Sequence, residues 1–331
     1  MSKYVLCRPR GGLNDMLCQI EHCLRYCRKY GRTLILDTSK SGMRDHFQKY
    51  FAIVDNRGTQ VISLDEMPVD INGLSTVPRG LQGRALSYVG EDVPGGEVRD
   101  IQTGEIVNFD LRSSHSADLL IQERAGGGIN SYWILQHLQP TKLAIRALKE
   151  KQKSLPDNYV ALHIRNTDLQ TDYTSFVNSI SWAIKGRNVL VGTDSAEIQT
   201  RLPEMNTGAK GFHFPTKLNP HNTERLHDSA STDETSNLEM LTDLFTLAFG
   251  RRLYFTFTEQ GYVSGFSGLA FALSHSKLAR NVALELGRSS SPTMPHFRVL
   301  GFVSYLRNQA VLIAAKSAIS VAVRTREFLQ K

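Results

Sequence analysis

Apolar residues open the chain as a short unbroken run and then recur at helical intervals. Tyr4 to Cys7 is apolar and runs into a Gly-Gly turn, the pattern of a buried strand. Beyond the turn, Met16, Leu17, Ile20, Cys23, Leu24 and Cys27 predict a helix over Met16 to Tyr30, with Gly31 as its stop. Thr33 to Asp37 predicts a second buried strand. Strand, glycine-rich turn, helix and strand in that order begin a parallel α/β domain. Asp55 to Gly128 has many glycines and short β-like runs, and no topology follows from it.

The alternation restarts in the second half. Leu143, Ile145, Leu148 and Leu155 predict a helix over Thr141 to Leu155, ended by Pro156 and the Asp157-Asn158 turn. Tyr159 to Ile164 begins afresh as an apolar strand, which puts a domain boundary near Ser154. A helix over Ser179 to Lys185, strands over Asn188 to Gly192 and Gly211 to Phe214, and a helix over Glu239 to Phe249 follow. Leu253 to Phe257 is a further strand, and Tyr262 to Leu273 starts a helix after a turn. Pro215 to Ser236 is polar and reads as a loop or lid. Phe297 to Phe328 is mainly helical but carries Arg307, Lys316, Arg324 and Arg326. It suits either a helix packed back on the first domain or a basic amphipathic helix on a membrane surface. The domains expected are 1–153 and 154–295, with 296–331 as a helical segment.

Composition narrows the class. Of 331 residues, 41% are hydrophobic and 21% charged, which supports packed cores. The net charge of +7 suits phosphate-bearing partners. Lys and Arg are scattered rather than clustered, which argues against nucleic acid. Cys7, Cys18, Cys23 and Cys27 have no zinc spacing and read as buried free thiols on a strand and the following helix. With no apolar leader and no uncharged apolar stretch of about 18 residues, a cytoplasmic protein is expected, with peripheral contact at an inner membrane face as an option.

Two constellations carry chemistry. Arg8-Pro9-Arg10-Gly11-Gly12-Leu13-Asn14-Asp15 lies between a strand and a helix. Its glycines allow close approach to the backbone, and the helix N–H groups and arginines favour an anion. The alternative is an ordinary tight turn with solvated arginines. His163-Ile164-Arg165-Asn166-Thr167-Asp168 follows a buried strand, where open parallel sheets bind ligands. Arg165 can fork onto a diphosphate, and Asp168 can orient it. A plain surface salt bridge is the competing reading. Asp194 with Ser195 also suits a helix cap. His213, His221, His227 and Asp228 fit no standard metal spacing, so no metal is expected. No P-loop and no Gly-x-Ser-x-Gly elbow occurs. Tyr132 and Trp133 could stack on an acceptor sugar or belong to the core.

The His163-x-Arg165-x-x-Asp168 pattern resembles the signature of the fucosyltransferase-like superfamily, which includes nodulation, α-1,2- and α-1,6-fucosyltransferases and protein O-fucosyltransferases. Gly11 to Asn14 is similar to that family's first loop, though one residue shorter, and Val189 to Ser195 to its strand ending in Thr-Asp. Leu241 to Leu244, Leu253 to Phe257 and Ser264 to Ala270 are similar to its last block. The resemblance covers about residues 4–37 and 140–275.

The resemblance implies two facing Rossmann-like domains of the GT-B type, with a cleft between them. It implies a glycosyltransferase that moves fucose from GDP-fucose to a glycan or lipid-linked glycan, without a cofactor or metal. Gly11, Gly12, Arg10, His163, Arg165, Asp194, Asp243, Ser264, Phe266 and Ser267 would bind the donor. Arg165 would take the β-phosphate, His163 and Asp243 the guanine or ribose, and Ser264 and Ser267 phosphate oxygens. Arg165, Asp168 and Asn14 are the catalytic candidates; Asp15 and Asp194 are candidates for the base. Use of another nucleotide sugar, or non-catalytic nucleotide or glycan binding on the same fold, are the alternatives.

Overall fold

A computed structural model describes residues 3–54, 58–166, 171–218, 233–258 and 261–288. Among them, β1 is Tyr4–Pro9, β2 Thr33–Leu36, β3 Phe51–Ile53, β4 Val61–Ser63, β5 Thr76–Val77, β6 Gly90–Val93, β7 Glu97–Asp100 and β8 Leu119–Arg124. The later strands are β9 Leu138–Pro140, β10 Tyr159–Ile164, β11 Asn188–Thr193, β12 Gly211–His213 and β13 Leu253–Phe255. The helices are α1 Leu13–Tyr30, α2 Ser131–Ile134, α3 Lys142–Lys153, α4 Tyr173–Ser179, α5 Ser181–Ile184, α6 Ala196–Arg201, α7 Glu234–Phe249, α8 Gly265–Ser274 and α9 Lys277–Glu285.

The first sheet runs β4-β2-β1-β8-β7-β6, with β5 also paired to β8. Its central strands are parallel, and β1 is buried along its whole length. That burial on both faces is why Tyr4 to Cys7 reads as a continuous apolar run rather than an alternation. The second sheet runs β12-β11-β10-β13 and is parallel throughout. In each sheet the chain builds outward on one side and then crosses to the other. The crossings put the topological switch points between β1 and β8 and between β10 and β13, where parallel sheets open a crevice at their carboxyl ends.

Helix α7 joins the two halves. Its first turn is capped by Asp233, whose carboxylate accepts from the Ser236 N–H at 2.8 Å. Asn237 donates to the Met43 carbonyl at 2.9 Å and to the Tyr50 hydroxyl at 3.2 Å. One hydrophobic cluster contains Leu17 and Leu24 of α1, Phe245 of α7 and Leu269 of α8, so both sheets lean on a shared core.

Several expected elements shift. Helix α1 starts at Leu13, because Gly12 is extended at φ −75° and Leu13 is already buried, so Asn14 and Asp15 belong to the helix. The helix expected over Ser179 to Lys185 is the four-residue α5, preceded across Ile180 by α4, which was not expected. Helix α7 begins five residues before Glu239, at its Asp233 cap. Helix α8 starts at Gly265 behind the cap Ser264, and β13 stops at Phe255. The four cysteines are free and buried, on β1 and α1 as expected. No described helix is long and apolar enough to cross a membrane. The segment 296–331, with the helix expected in it, lies outside the described residues.

Candidate functional site

At the second switch point the carboxyl ends of β10, β11 and β13 bring side chains together that lie far apart in sequence. Register places His163 beside Gly192 and beside Phe255, so Arg165, Asp194 and Thr256 project from adjacent strand ends. The Asp194 carboxylate accepts from Arg165 Nε at 2.9 Å through Oδ2. Its Oδ1 accepts from the Asn166 N–H at 2.8 Å. The Thr256 hydroxyl accepts from the Arg165 N–H at 3.3 Å, and the Thr171 hydroxyl donates to the Arg165 carbonyl at 2.8 Å. A bond at Nε fixes the plane of the guanidinium, the orientation a forked anion contact requires.

Helix α8 starts beside this group. The Ser264 hydroxyl accepts from the Ser267 N–H at 3.1 Å and lies 2.8 Å from Ser267 Oγ. Ser267 Oγ is 2.6 Å from His163 Nδ1, and the Phe266 ring lies tilted over the imidazole at 5.2 Å. Burial pushes the His163 imidazole down to about 4, against the pull of Asp194, so the ring is neutral at pH 7. His163, Ser264 and Ser267 thus form one hydrogen-bonded block, with the Phe266 ring against the imidazole, that pins the N-terminus of α8 to β10.

The Gly-Gly turn sits at the first switch point. Gly11 has φ +81°, a left-handed conformation that disfavours side chains. A Cβ there would also lie 2.5 Å from the Asp15 carboxylate. A Cβ on Gly12 would meet nothing within 4 Å, so this position faces open space. Asn14 is 9% exposed: its Oδ1 accepts from the Ser131 hydroxyl at 2.6 Å, and its Nδ2 donates to the Gly128 carbonyl at 3.4 Å. A Cβ on Gly265 would lie 3.3 Å from Asn14 Cβ, so the starts of α1 and α8 touch.

The two arginines of the turn are held inside. Arg8 is 3% exposed; its Nε donates to Asp37 at 2.7 Å and its Nη1 to the Ala85 carbonyl at 2.9 Å. Burial pushes the Asp37 carboxyl up, but bonds from Ser39 and Arg8 outweigh it and hold it below its usual range. Arg10 Nε donates to buried Glu123 at 2.7 Å, and the Tyr88 hydroxyl donates to the same carboxylate. Lys40 Nζ is 3.9 Å from Glu123, with burial lowering its pKa. The solvated arginines of the alternative reading are therefore not what the chain builds.

Of the residues singled out in the sequence, the structure unites His163, Arg165, Asp194, Ser264, Phe266 and Ser267, with Asn14 touching the block through Gly265. Gly11, Gly12 and Arg10 stand at the other switch point. Asp243 has different partners: it sits 3.4 Å from Lys151 Nζ on the α3 side of α7. Burial pushes its carboxyl up to about 6, against Lys151. Asp194 pairs with Arg165, and Asp168, expected to support Arg165 as well, lies outside the described residues. Asp194 caps no helix, since Ser195 occupies the cap of α6. His213 lies 3.4 Å from Asn188 Oδ1; His221, His227 and Asp228 are outside the described residues, which contain no group of three metal-ligating side chains. Thr256, Thr171 and Ser131 were missed by sequence reasoning. The signal for Thr256 was its place near the carboxyl end of the strand expected over Leu253 to Phe257.

No family model matches the sequence, and no curated protein does. Solved structures do match. A fucosyltransferase NodZ from Bradyrhizobium superposes with a TM-score of 0.54 at 14% identity, covering 82% of this chain and 91% of that one. NodZ α-1,6-fucosyltransferase soaked with GDP-fucose gives 0.53 at 15% identity, over 82% and 93%. POFUT1 in complex with GDP gives 0.51 at 16% identity, over 82% and 94%. The chain shares the fold of these solved fucosyltransferase structures.

Proposed function

We propose that this chain is a glycosyltransferase that moves fucose from GDP-fucose to a glycan or lipid-linked glycan acceptor. The carrying observation is Arg165, oriented by Asp194 at a parallel-sheet switch point, beside the capped N-terminus of α8. That pairing of a planar cation with helix N–H groups suits a diphosphate. The matched folds include structures with GDP and GDP-fucose, which supports the same donor here.

In this reading the halves 1–153 and 154–295 face each other as GT-B-type domains. The donor lies on the second, and the acceptor lies between the Gly11-Gly12 turn and the donor. An acceptor hydroxyl oxygen forms a bond to the anomeric carbon. The bond from that carbon to the β-phosphate oxygen breaks, GDP leaves with the electron pair, and the hydroxyl proton passes to a base. Arg165 and the N–H groups of α8 stabilise the charge gathering on the departing diphosphate. Asp194 positions Arg165, and neutral His163 positions α8 through Ser267. Asn14 braces the junction of α1 and α8. The reading carries no metal requirement, because the chain offers no Asp-x-Asp pair to bridge a cation to the diphosphate.

A donor panel of GDP-, UDP- and CMP-sugars, read by nucleotide release, tests this. Release from GDP-fucose above all others is expected. Release from a UDP- or CMP-sugar instead overturns the donor, and binding of GDP without turnover of any donor overturns the transferase.

A further inference from the structure

Helices α3 and α9 carry a charge pattern that their own stability does not explain. Each packs against α7 and touches β9, so the two are neighbours on one flank of the molecule. Helix α3 buries Ala144, Ile145 and Leu148. Its other face shows Lys142, Arg146, Lys149 and Lys153, all exposed. Residues three and four apart lie on one stripe of a helix. Helix α9 buries Leu278, Ala279, Val282 and Ala283, and exposes Lys277, Arg280 and Leu284 on a stripe of the same kind.

A solvated helix face would be built otherwise. Like charges three or four residues apart repel, and α3 has three such pairs in a row. A cation in the first turn opposes the helix dipole, yet Lys142 opens α3, Lys277 opens α9, and neither first turn holds an acid. Glu150, the one acid of α3, pairs with Lys153 at 2.9 Å and reaches Arg146 only at longer range. Among the described residues, no hydrogen bond or ion pair holds the side chain of Lys142, Arg146, Lys149, Lys277 or Arg280. Over the exposed positions of both helices, six cations stand against two carboxylates, Glu150 and Glu285. Residues 289–331 are themselves basic, with Arg298, Arg307, Lys316, Arg324 and Arg326 against Glu327, so the end of the chain has the wrong charge to cover this flank.

We propose that this flank docks on an anionic bilayer surface, with the two basic stripes against the lipid headgroups and Leu284 at the boundary with the acyl chains. Clusters of about four to eight Lys and Arg on an amphipathic helix are the footprint of anionic lipid. Leu284 is 74% exposed and shares its stripe with Lys277 and Arg280, the mix of aliphatic and basic side chains that interfacial helices present. An acidic protein would need an aromatic or apolar anchor at the centre of the contact, and neither helix has an aromatic residue. The docking stands apart from the donor reading. Only its use, to hold the enzyme where lipid-linked glycans lie, rests on that reading.

The full-length chain is sedimented with vesicles of phosphatidylcholine alone and of phosphatidylcholine mixed with phosphatidylglycerol. Binding to the mixed vesicles only is expected, and its loss at about 1 M salt, where the Debye length is about 3 Å. K142Q/R146Q/K149Q is expected to bind at least about 30-fold more weakly, from about fivefold for each charge. R79Q/R112Q/K210Q removes the same charge from exposed positions elsewhere and is expected to stay within about twofold of wild type. Circular dichroism verifies that each variant is folded. If the first triple variant is not, Arg146→Gln and Lys149→Gln singly are each expected to weaken binding about fivefold. Equal binding to neutral vesicles, no binding to anionic ones, or equal losses in the two triple variants overturns the proposal. Binding to polyglutamate without binding to vesicles makes the partner a protein and overturns it too. GDP binding is measured separately, so failure on vesicles leaves the donor reading intact, and failure to bind GDP leaves the docking intact.

Discussion

Replacing Asp194 by Asn removes a charge without removing bulk. The asparagine carbonyl can still accept from the Asn166 N–H, now 2.8 Å from Oδ1. Its amide then faces Arg165 Nε, 2.9 Å from the present Oδ2, donor against donor. Breaking a fully buried ion pair from one side costs about 3–5 kcal/mol. Arg165 keeps 18% of its side-chain exposure, and water recovers part of that loss, so about 2 kcal/mol of stability is expected to go. Without the bond at Nε the guanidinium plane swings, and a misplacement of about 1 Å at a reacting group can cost about 100-fold. GDP affinity by calorimetry is expected to fall about 10- to 100-fold, and the urea midpoint to drop with unchanged slope. Binding within twofold of wild type and an unmoved midpoint would show that Asp194 does not position Arg165.

Three further outcomes follow from packing and protonation. His163 titrates near 4 when folded and near 6.5 when unfolded, so the unfolded chain takes up a proton first as pH falls. Stability is therefore lost between about pH 6.5 and 4, by up to roughly 3 kcal/mol, and urea unfolding of His163→Gln should show a flatter profile there; an equal slope refutes it. Asp243 has the opposite sign: its folded pKa of about 6 lies above the usual carboxylate value, so stability falls as pH rises from about 4 to 6. Asp243→Asn should remove that fall, and an unchanged fall refutes the assignment. Gly250→Ala would place a Cβ 2.6 Å from Ala161 Cβ and 3.1 Å from its backbone nitrogen, in the middle of β10's packing. Overpacking of this kind costs about 1–3 kcal/mol, read by urea unfolding; a loss below about 0.5 kcal/mol refutes the close contact.

The sequence displayed the long buried strands and the helices behind them, because Tyr4 to Cys7, Tyr159 to Ile164 and Met16 to Tyr30 are long enough to hold a period. Residues 55–128 could not be read that way: β5 has two residues and β4 three, joined by short 3-10 turns, so no period develops. Within the site, His163 and Arg165 were visible at a strand end. Their partners came from register: Asp194 reaches Arg165 only because β10 and β11 align His163 with Gly192. Tyr132 and Trp133 show the same limit, since adjacent aromatics divide between core and solvent by a helix face that four residues of α2 do not reveal as a pattern.

The central claim is that Arg165 holds the departing diphosphate of GDP-fucose. It is tested most directly by kcat/KM for GDP release from GDP-fucose by wild type, Arg165→Lys and Arg165→Ala, each verified as folded by circular dichroism. The account predicts a loss of at least about 3 kcal/mol in transition-state stabilisation for Arg165→Ala, or more than about 100-fold. Arg165→Lys should recover only part of it, because an ammonium supplies charge without the fork. Wild-type turnover by folded Arg165→Ala would contradict the account.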